Sequence, residues 1–217
     1  MKKFNFAIVI SSLLALGGCA TQKPYDYSAF KERMPRTIVV LPPINNSLDI
    51  KGTYGVYAST TRPIAEAGYY VLPVTLVDET FRLNGLQTPN EIHVLPPKKI
   101  KEVFGADAGL YLTVKEYGTK YYVVGSASVV TVTAKLIDLE SGAQLWDGTA
   151  SASSEEGKNN QGGLAALLIG AIVNQIAGTL VDQSSDVARM TNARLLSADV
   201  PNGMLWGERS PNFGKLK

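Results

Sequence analysis

The sequence has few of the residues on which metal binding and covalent catalysis depend. Its 217 residues include one cysteine, Cys19, and one histidine, His93. A single cysteine excludes an internal disulfide and a multi-cysteine metal site, and a single histidine excludes a His-pair metal site. No Gly-x-Ser-x-Gly nucleophile elbow occurs around any serine. We therefore expect no metal, no cofactor and no catalytic residues, and hence a protein that is not an enzyme.

The positive and negative charges of the chain nearly balance. The chain has 21 Lys and Arg against 19 Asp and Glu, a formal charge of +2. This balance argues against a strongly basic nucleic-acid-binding protein and against an acidic disordered tail. Apolar residues make up 45% of the chain and charged residues 18%. We expect one packed domain of ordinary size that does not bind nucleic acid.

The amino terminus has the organisation of an export signal. Lys2 and Lys3 precede an apolar run, residues 6–16, that leads to Gly17 and Gly18. This order of positive charge, apolar run and small residues is typical of a secretory signal peptide. The run of 11 residues is shorter than the ~20 residues that a membrane-spanning helix needs. The alternative, an uncleaved anchor, is therefore less favoured than a signal peptide over residues 1–18.

Cys19 lies directly after this segment. The sequence Leu16-Gly17-Gly18-Cys19 resembles the lipobox of bacterial lipoproteins. In those proteins the thiol of the cysteine receives a diacylglycerol, the signal is cleaved between the residues that correspond to Gly18 and Cys19, and the freed amine is acylated, with palmitate. Several acyl chains on one residue give stable anchoring, because each buried methylene contributes ~0.8 kcal/mol. We predict lipidation at Cys19.

The residue after Cys19 bears on the destination. It is Ala20, and in lipoproteins a residue other than Asp here is typical of release to the outer membrane. We therefore predict a lipid-anchored outer-membrane protein that faces the periplasm. Residues 19–36 contain few residues of the kind that become buried, which predicts a tether that spans roughly 23 Å as a flexible chain.

The rest of the chain, residues 37–217, predicts a single α/β domain. A β-branched run over residues 37–41, helical patterns and a second strand near residue 70 indicate a strand–helix–strand unit. The alternating residues 110–115, the strand 123–138 and its partner 143–153 then predict an antiparallel meander. We expect an α+β fold in which one mixed sheet includes this meander and carries packed helices.

An uncharged stretch of 19 residues, 162–180, interrupts this pattern. Its length would suit a membrane span, but Asn174, Gln175 and four glycines lower its apolarity. We predict a long apolar helix near residues 162–190 that is buried against the sheet or in a homodimer interface. A membrane-inserted helix is the alternative.

Two further features have a structural and a functional interpretation. His93 is predicted to be a packing histidine at a helix end, and a catalytic base is the alternative. Four tyrosines cluster on and beside one strand, where they would serve either as sheet formers or as contacts for a partner protein. They are Tyr111, Tyr117, Tyr121 and Tyr122.

A series of short motifs resembles one known family. They are Leu41-Pro42-Pro43, residues 68–73 (GYYVLP), 88–91 (TPNE), 105–111 (GADAGLY) and 138–142 (DLESG). In this order they are similar to the Gram-negative outer-membrane lipoproteins first recognised among meningococcal genome-derived antigens, from about residue 24 to the end. The resemblance implies a fold like the TolB amino-terminal domain, related to the curli-secretion lipoprotein. No catalytic residue is known in that family, so only the lipidated Cys19 carries over.

The resemblance also implies a role. We expect a non-enzymatic accessory of a trans-envelope transport or secretion assembly, with other envelope lipoproteins as partners. An activator or scaffold of periplasmic cell-wall synthases is one alternative. A small-molecule-binding or hydrolytic protein is another, and it requires a deep apolar pocket with converging polar groups.

Overall fold

The fold is a six-stranded mixed sheet with helices on both faces. The computed structural model describes residues 25–122, 125–156 and 183–215. The strands are β1 (Thr37–Val40), β2 (Ile44–Asn45), β3 (Tyr70–Val71), β4 (Ala108–Tyr122), β5 (Gly125–Asp138) and β6 (Gln144–Ser153). The described helices are α1 (Ser28–Arg33), α2 (Gly52–Tyr57), α3 (Thr61–Glu66), α4 (Val74–Leu83), α5 (Pro89–His93), α6 (Pro97–Phe104) and α7 (Ser184–Leu195).

The strands follow the order β3-β1-β4-β5-β6, and the short β2 also pairs with β4. β1 is parallel to both of its neighbours, whereas β4, β5 and β6 form an antiparallel meander. The predicted fold class, a single α+β mixed sheet with a meander and packed helices, is therefore confirmed.

The sheet separates two apolar cores. Ile38 and Val40 of β1 face the larger core, which α1, α2, α3 and α7 cover. Val39 and Leu41 face the smaller core under α4, α5 and α6. A strand that is buried on both faces explains the continuous apolar run over residues 37–41.

Local signals in the sequence fix several helix ends. The side chain of Thr88 accepts from the N–H of Glu91, and the Glu91 carboxylate accepts from the N–H of Thr88, so a capping box is present at the start of α5. α6 ends at Gly105, which has a φ of 66° in the left-handed region. Pro63 lies in the first turn of α3, where a proline is tolerated, and α2 ends before it at Tyr57.

The strand predicted around residue 70 is shorter than expected. β3 covers only Tyr70–Val71, and α4 begins at Val74 directly after Pro73. Tyr69 is buried outside the strand and donates its hydroxyl to the carbonyl of Leu205 at 2.6 Å. The apolar character of this segment comes from core packing on both sides of a very short strand.

Residues 25–36 are folded, which differs from the predicted tether over residues 19–36. α1 lies in this range, and the side chain of Phe30 is completely buried in the larger core. Three aromatic residues, Tyr25, Tyr27 and Phe30, lie here among polar ones. The composition of the segment therefore did not indicate that it packs on the core. Residues 19–24 lie outside the described residues.

The long apolar helix predicted near residues 162–190 also falls mostly outside the described residues, which resume at residue 183. α7 begins at Ser184 and packs on β5 and β6. The predictions for residues 162–182 therefore remain predictions. Within the described ranges, no helix is both long and apolar enough to cross a membrane.

Candidate functional site

The predicted lipidation site, Cys19, and the cleavage position after Gly18 lie outside the described residues and remain predictions. The first described residue is Tyr25, whose hydroxyl donates to the Oδ1 of Asp147 at 2.9 Å. Burial and this hydrogen bond raise the pKa of Tyr25 to about 12, so its hydroxyl stays protonated in neutral solution. The polypeptide thus enters the domain beside the first residues of β6.

We call the region around Tyr25, Tyr27, Trp146 and Asn202 the near end of the domain. Tyr27 donates its hydroxyl to the carbonyl of Gly203 at 2.6 Å, and Trp146 donates its indole N–H to the carbonyl of Asn202 at 2.9 Å. Buried donors of this kind stabilise the fold only where an acceptor is in place, and here each has one. The near end is therefore closed by specific contacts between the two termini of the domain and β6.

The opposite end of the meander has a different character. We call the region around Leu48, Ile50, Gly118 and Tyr121 the far end. Ile50 is 89% exposed and Tyr121 is 85% exposed, and Leu48 is fully exposed. The loop that carries Leu48 and Ile50 reaches β4 at Gly118, where the Oδ2 of Asp49 lies 3.5 Å from the position that a Cβ would occupy. Sequence reasoning missed Leu48 and Ile50, although two aliphatic residues in a polar loop were a visible signal.

The four-tyrosine cluster is only partly a surface. Tyr117 is buried in the larger core, and Tyr111 packs edge-on against His93 with ring centroids 5.3 Å apart. The side chain of Tyr122 lies outside the described residues. A β-bulge after Val114 places Tyr117 in the larger core although Tyr111 packs against the smaller one, and only Tyr121 is an exposed contact candidate among the three that the structure describes.

His93 lies at the end of α5 and donates its Nε2–H to the carbonyl of Pro42, 2.9 Å away. Burial lowers the pKa of His93, and the bond to Pro42 opposes this effect only in part. The neutral imidazole therefore ties α5 to the segment after β1, as predicted for a packing histidine.

An open cleft of about 310 Å³ lies beside His93 on the sheet face. Thr113, Thr133 and Lys135 line it together with Tyr111 and His93, and none of its lining residues is a carboxylate. No carboxylate lines the cleft to orient the imidazole or to share a proton transfer with it, and the Nε2 of His93 is committed to the carbonyl of Pro42. The cleft does not support the hydrolytic alternative.

Polar residues elsewhere in the domain stabilise the fold. The Oδ2 of Asp107, in the Gly105–Gly109 segment, accepts from the N–H groups of Arg36 and Thr37 at 3.0 Å each. Asp78 pairs with Arg82, and Glu156 pairs with Arg194. Among the described residues, no group of three or more His, Cys, Asp or Glu could hold a metal ion.

Comparisons with known proteins agree with the predicted resemblance. The model of the family described as "Putative lipoprotein GNA1162-like" matches residues 25–209. The chain is 46% identical over 203 residues to "Putative lipoprotein NMB1124/NMB1162" of Neisseria meningitidis serogroup B, which covers 92% of this chain and 94% of the relative. The chain therefore belongs to the GNA1162-like lipoprotein family.

A solved structure gives the same picture of the fold. The crystal structure of lipoprotein GNA1162 from Neisseria meningitidis has a TM-score of 0.55 at 46% identity, over 67% of this chain and 100% of that one. The dodecamer of a PelC variant from Paraburkholderia phytofirmans has a TM-score of 0.45 at 17% identity, over 80% of this chain and 91% of that one. The second score is too low to support an argument about fold or function.

Proposed function

We propose that this member of the GNA1162-like lipoprotein family is held by lipid on Cys19 at the periplasmic side of the outer membrane. There it acts, without catalysis, as an accessory of a trans-envelope transport or secretion assembly. Family membership supports the lipid anchor. The partner-binding role rests on the different characters of the near and far ends.

The separation of these two ends is the observation that carries the proposal. Six residues lead from Cys19 to Tyr25, and an extended chain of that length spans at most ~20 Å. Tyr25 is hydrogen-bonded to Asp147 of β6, and Asp147 lies opposite Lys135 of β5 in the strand register. From Lys135, β5 runs ten residues back to Gly125, a distance of ~33 Å. The lipid thus holds the near end by the membrane and leaves the far end free for a protein.

The far end has the composition of a contact surface. Exposed aliphatic and aromatic side chains cost little in a monomer when they are scattered, but they contribute strongly to association once a partner removes them from water. Leu48, Ile50 and Tyr121 provide such side chains, and the cleft at His93 lacks an acid–base pair that would favour an enzyme instead.

Site-specific photocrosslinking in cells tests this role. A photoreactive residue at Ile50 or at Tyr121 is expected to capture envelope proteins. The matched control is Glu79, an exposed residue of α4, a helix that covers the smaller core. Identical adducts from Ile50 and Glu79, or no envelope protein from either far-end position, would contradict the proposal. Capture of cell-wall synthases at the far end would favour a role in synthase activation over a role in transport.

The anchor has an independent test. Fatty-acid labelling is expected in the full chain and absent in Cys19→Ala, and only the unsubstituted protein should fractionate with outer membranes. Equal labelling of both proteins would remove Cys19 as the attachment site. Fractionation of the unsubstituted protein with the inner membrane would contradict the proposed location.

A further inference from the structure

A second concave site lies on the helical layer over the larger core, away from the cleft at His93. It is an open pocket of about 270 Å³ between the end of α3, the end of α7 and the carboxy-terminal segment. Its lining residues are Pro63, Glu66, Ala67, Ala193, Ser197, Ala198, Asp199 and Trp206. The proposed function does not use this pocket.

The pocket is built from fixed parts of the backbone. The N–H of Gly207, next to Trp206, donates to the carbonyl of Ala67 at 2.8 Å. The N–H of Asp199 donates to the Oγ of Ser197 at 3.0 Å. Ala67 and Ala198 are almost completely buried, and Trp206 packs partly against the larger core. The backbone around the pocket and the wall that Trp206 forms are therefore held in place before any ligand arrives, and the exposed Asp199 also lines the pocket.

The charge of the pocket is negative. Glu66 forms an ion pair with Arg62 at 2.8 Å, but both side chains are largely exposed, so this pair is weak. No lysine or arginine pairs with Asp199 anywhere in the described ranges. A cation that enters beside Trp206 would meet one unpaired carboxylate and one whose partner is easily displaced.

Size and shape select among cations. Pockets for drug-sized ligands occupy about 300–1,000 Å³, so this one suits a single side chain better than a cofactor. Alanines at three lining positions leave room beside Trp206. A planar guanidinium stacks on an aromatic face and forms two parallel hydrogen bonds to a carboxylate, whereas an ammonium group does neither as well.

We propose that the pocket formed by Trp206, Asp199 and Glu66 binds an arginine side chain of a partner protein. The guanidinium stacks on the indole of Trp206 and donates to the carboxylate of Asp199. This inference does not depend on the far end or on lipid at Cys19.

A fluorine probe reports on this pocket directly. The chain has two tryptophans, Trp146 and Trp206, so the full protein labelled with 5-fluorotryptophan gives two resonances, which Trp206→Phe assigns. A blocked Gly-Arg-Gly peptide is expected to shift the Trp206 resonance saturably and to leave Trp146 unchanged. The same peptide with citrulline, which keeps the shape and removes the charge, should produce no saturable shift.

Two substitutions separate binding from folding. Asp199→Asn is expected to weaken binding of the arginine peptide about ten-fold, because a charge-assisted hydrogen bond is lost. Glu79→Gln, an exposed carboxylate on α4, should leave it unchanged. An unshifted Trp146 resonance in each variant verifies the fold. Equal responses to arginine and citrulline, unchanged affinity in Asp199→Asn, or equal affinity for a lysine peptide would each overturn the proposal.

Discussion

The near and far ends of the same meander differ in how they use their aromatic and apolar side chains. At the near end, Tyr25, Tyr27 and Trp146 each direct a polar atom to an acceptor on a distant part of the chain. At the far end, Ile50 and Tyr121 expose most of their surface to water. The comparison shows that one aromatic-rich sheet can concentrate its stability at one end and its capacity for contact at the other.

The difference follows from the positions of the first and last segments of the described domain. Residues 28–33 pack on β6, and residues 203–207 bond to Tyr27 and to Ala67 after α3, so side chains there meet other segments and become buried. At the far end the loop of residues 46–51 reaches β4 at Val114, whose carbonyl accepts from the N–H of Asn46, and at Gly118. Substitutions at the two ends should therefore have unequal effects.

The largest effect is expected from Phe30→Ala at the near end. Phe30 is completely buried, and its removal leaves a cavity that α1 cannot fill, at a cost of about 3–5 kcal/mol in the free energy of unfolding. Urea denaturation followed by circular dichroism measures the loss. Phe30→Leu should cost distinctly less. A loss below about 1 kcal/mol would mean that α1 contributes little and that the near end is no more stable than the far end.

A smaller effect is expected when one near-end hydroxyl is removed. Tyr27→Phe leaves the carbonyl of Gly203 without its 2.6 Å donor and should lower the free energy of unfolding by about 1–2 kcal/mol. Tyr121→Phe at the far end is the matched control and should stay within about 0.5 kcal/mol. Equal losses in the two variants, measured by the same denaturation, would remove the contrast between the ends.

His93 makes the stability of the protein depend on pH. Burial lowers its pKa in the folded state, so between that value and the ordinary value of 6.5 the unfolded chain binds more protons. The contribution of His93 to stability is therefore complete above pH 6.5 and is lost as the pH falls through the folded-state pKa. Comparing the protein with His93→Gln at pH 7 and pH 5 should show a smaller decline in the variant, and an equal decline would refute this role.

The smallest effect on stability, and the largest on contact, is expected at the far end. Leu48→Ser together with Ile50→Ser should change the free energy of unfolding by less than about 0.5 kcal/mol, because both side chains are already in water. The same double variant should lose the protein adducts formed from a photoreactive residue at Tyr121. Retained adducts would place the contact surface elsewhere.

Much of the fold was predictable because its signals are local. The alternation at Leu110, Leu112 and Val114, the run over residues 37–41 and the capping box at Thr88 each depend on near neighbours in the chain. Strand pairing in the meander followed from short connections. α1 was missed because its apolar residues lie among polar and charged ones, and the burial of Phe30 depends on a core contributed by residues far away in sequence.

The sites divide in the same way. The predicted attachment at Cys19 rests on adjacent residues and needs no fold. The pocket at Trp206 was not predictable, because Glu66 and Asp199 are 133 positions apart and meet only when α3 and α7 pack on the same sheet face. The exposure of Ile50 likewise depends on which segments cross the far end.

By itself, therefore, the sequence determined the composition of the cores, the pairing of neighbouring strands and the caps of the helices, since these depend on short-range sterics and hydrogen bonding. Only the tertiary structure decided which aromatic residues are buried and which carboxylates converge. Both outcomes are set by contacts between distant segments, and the periodicity of a single segment carries no information about them.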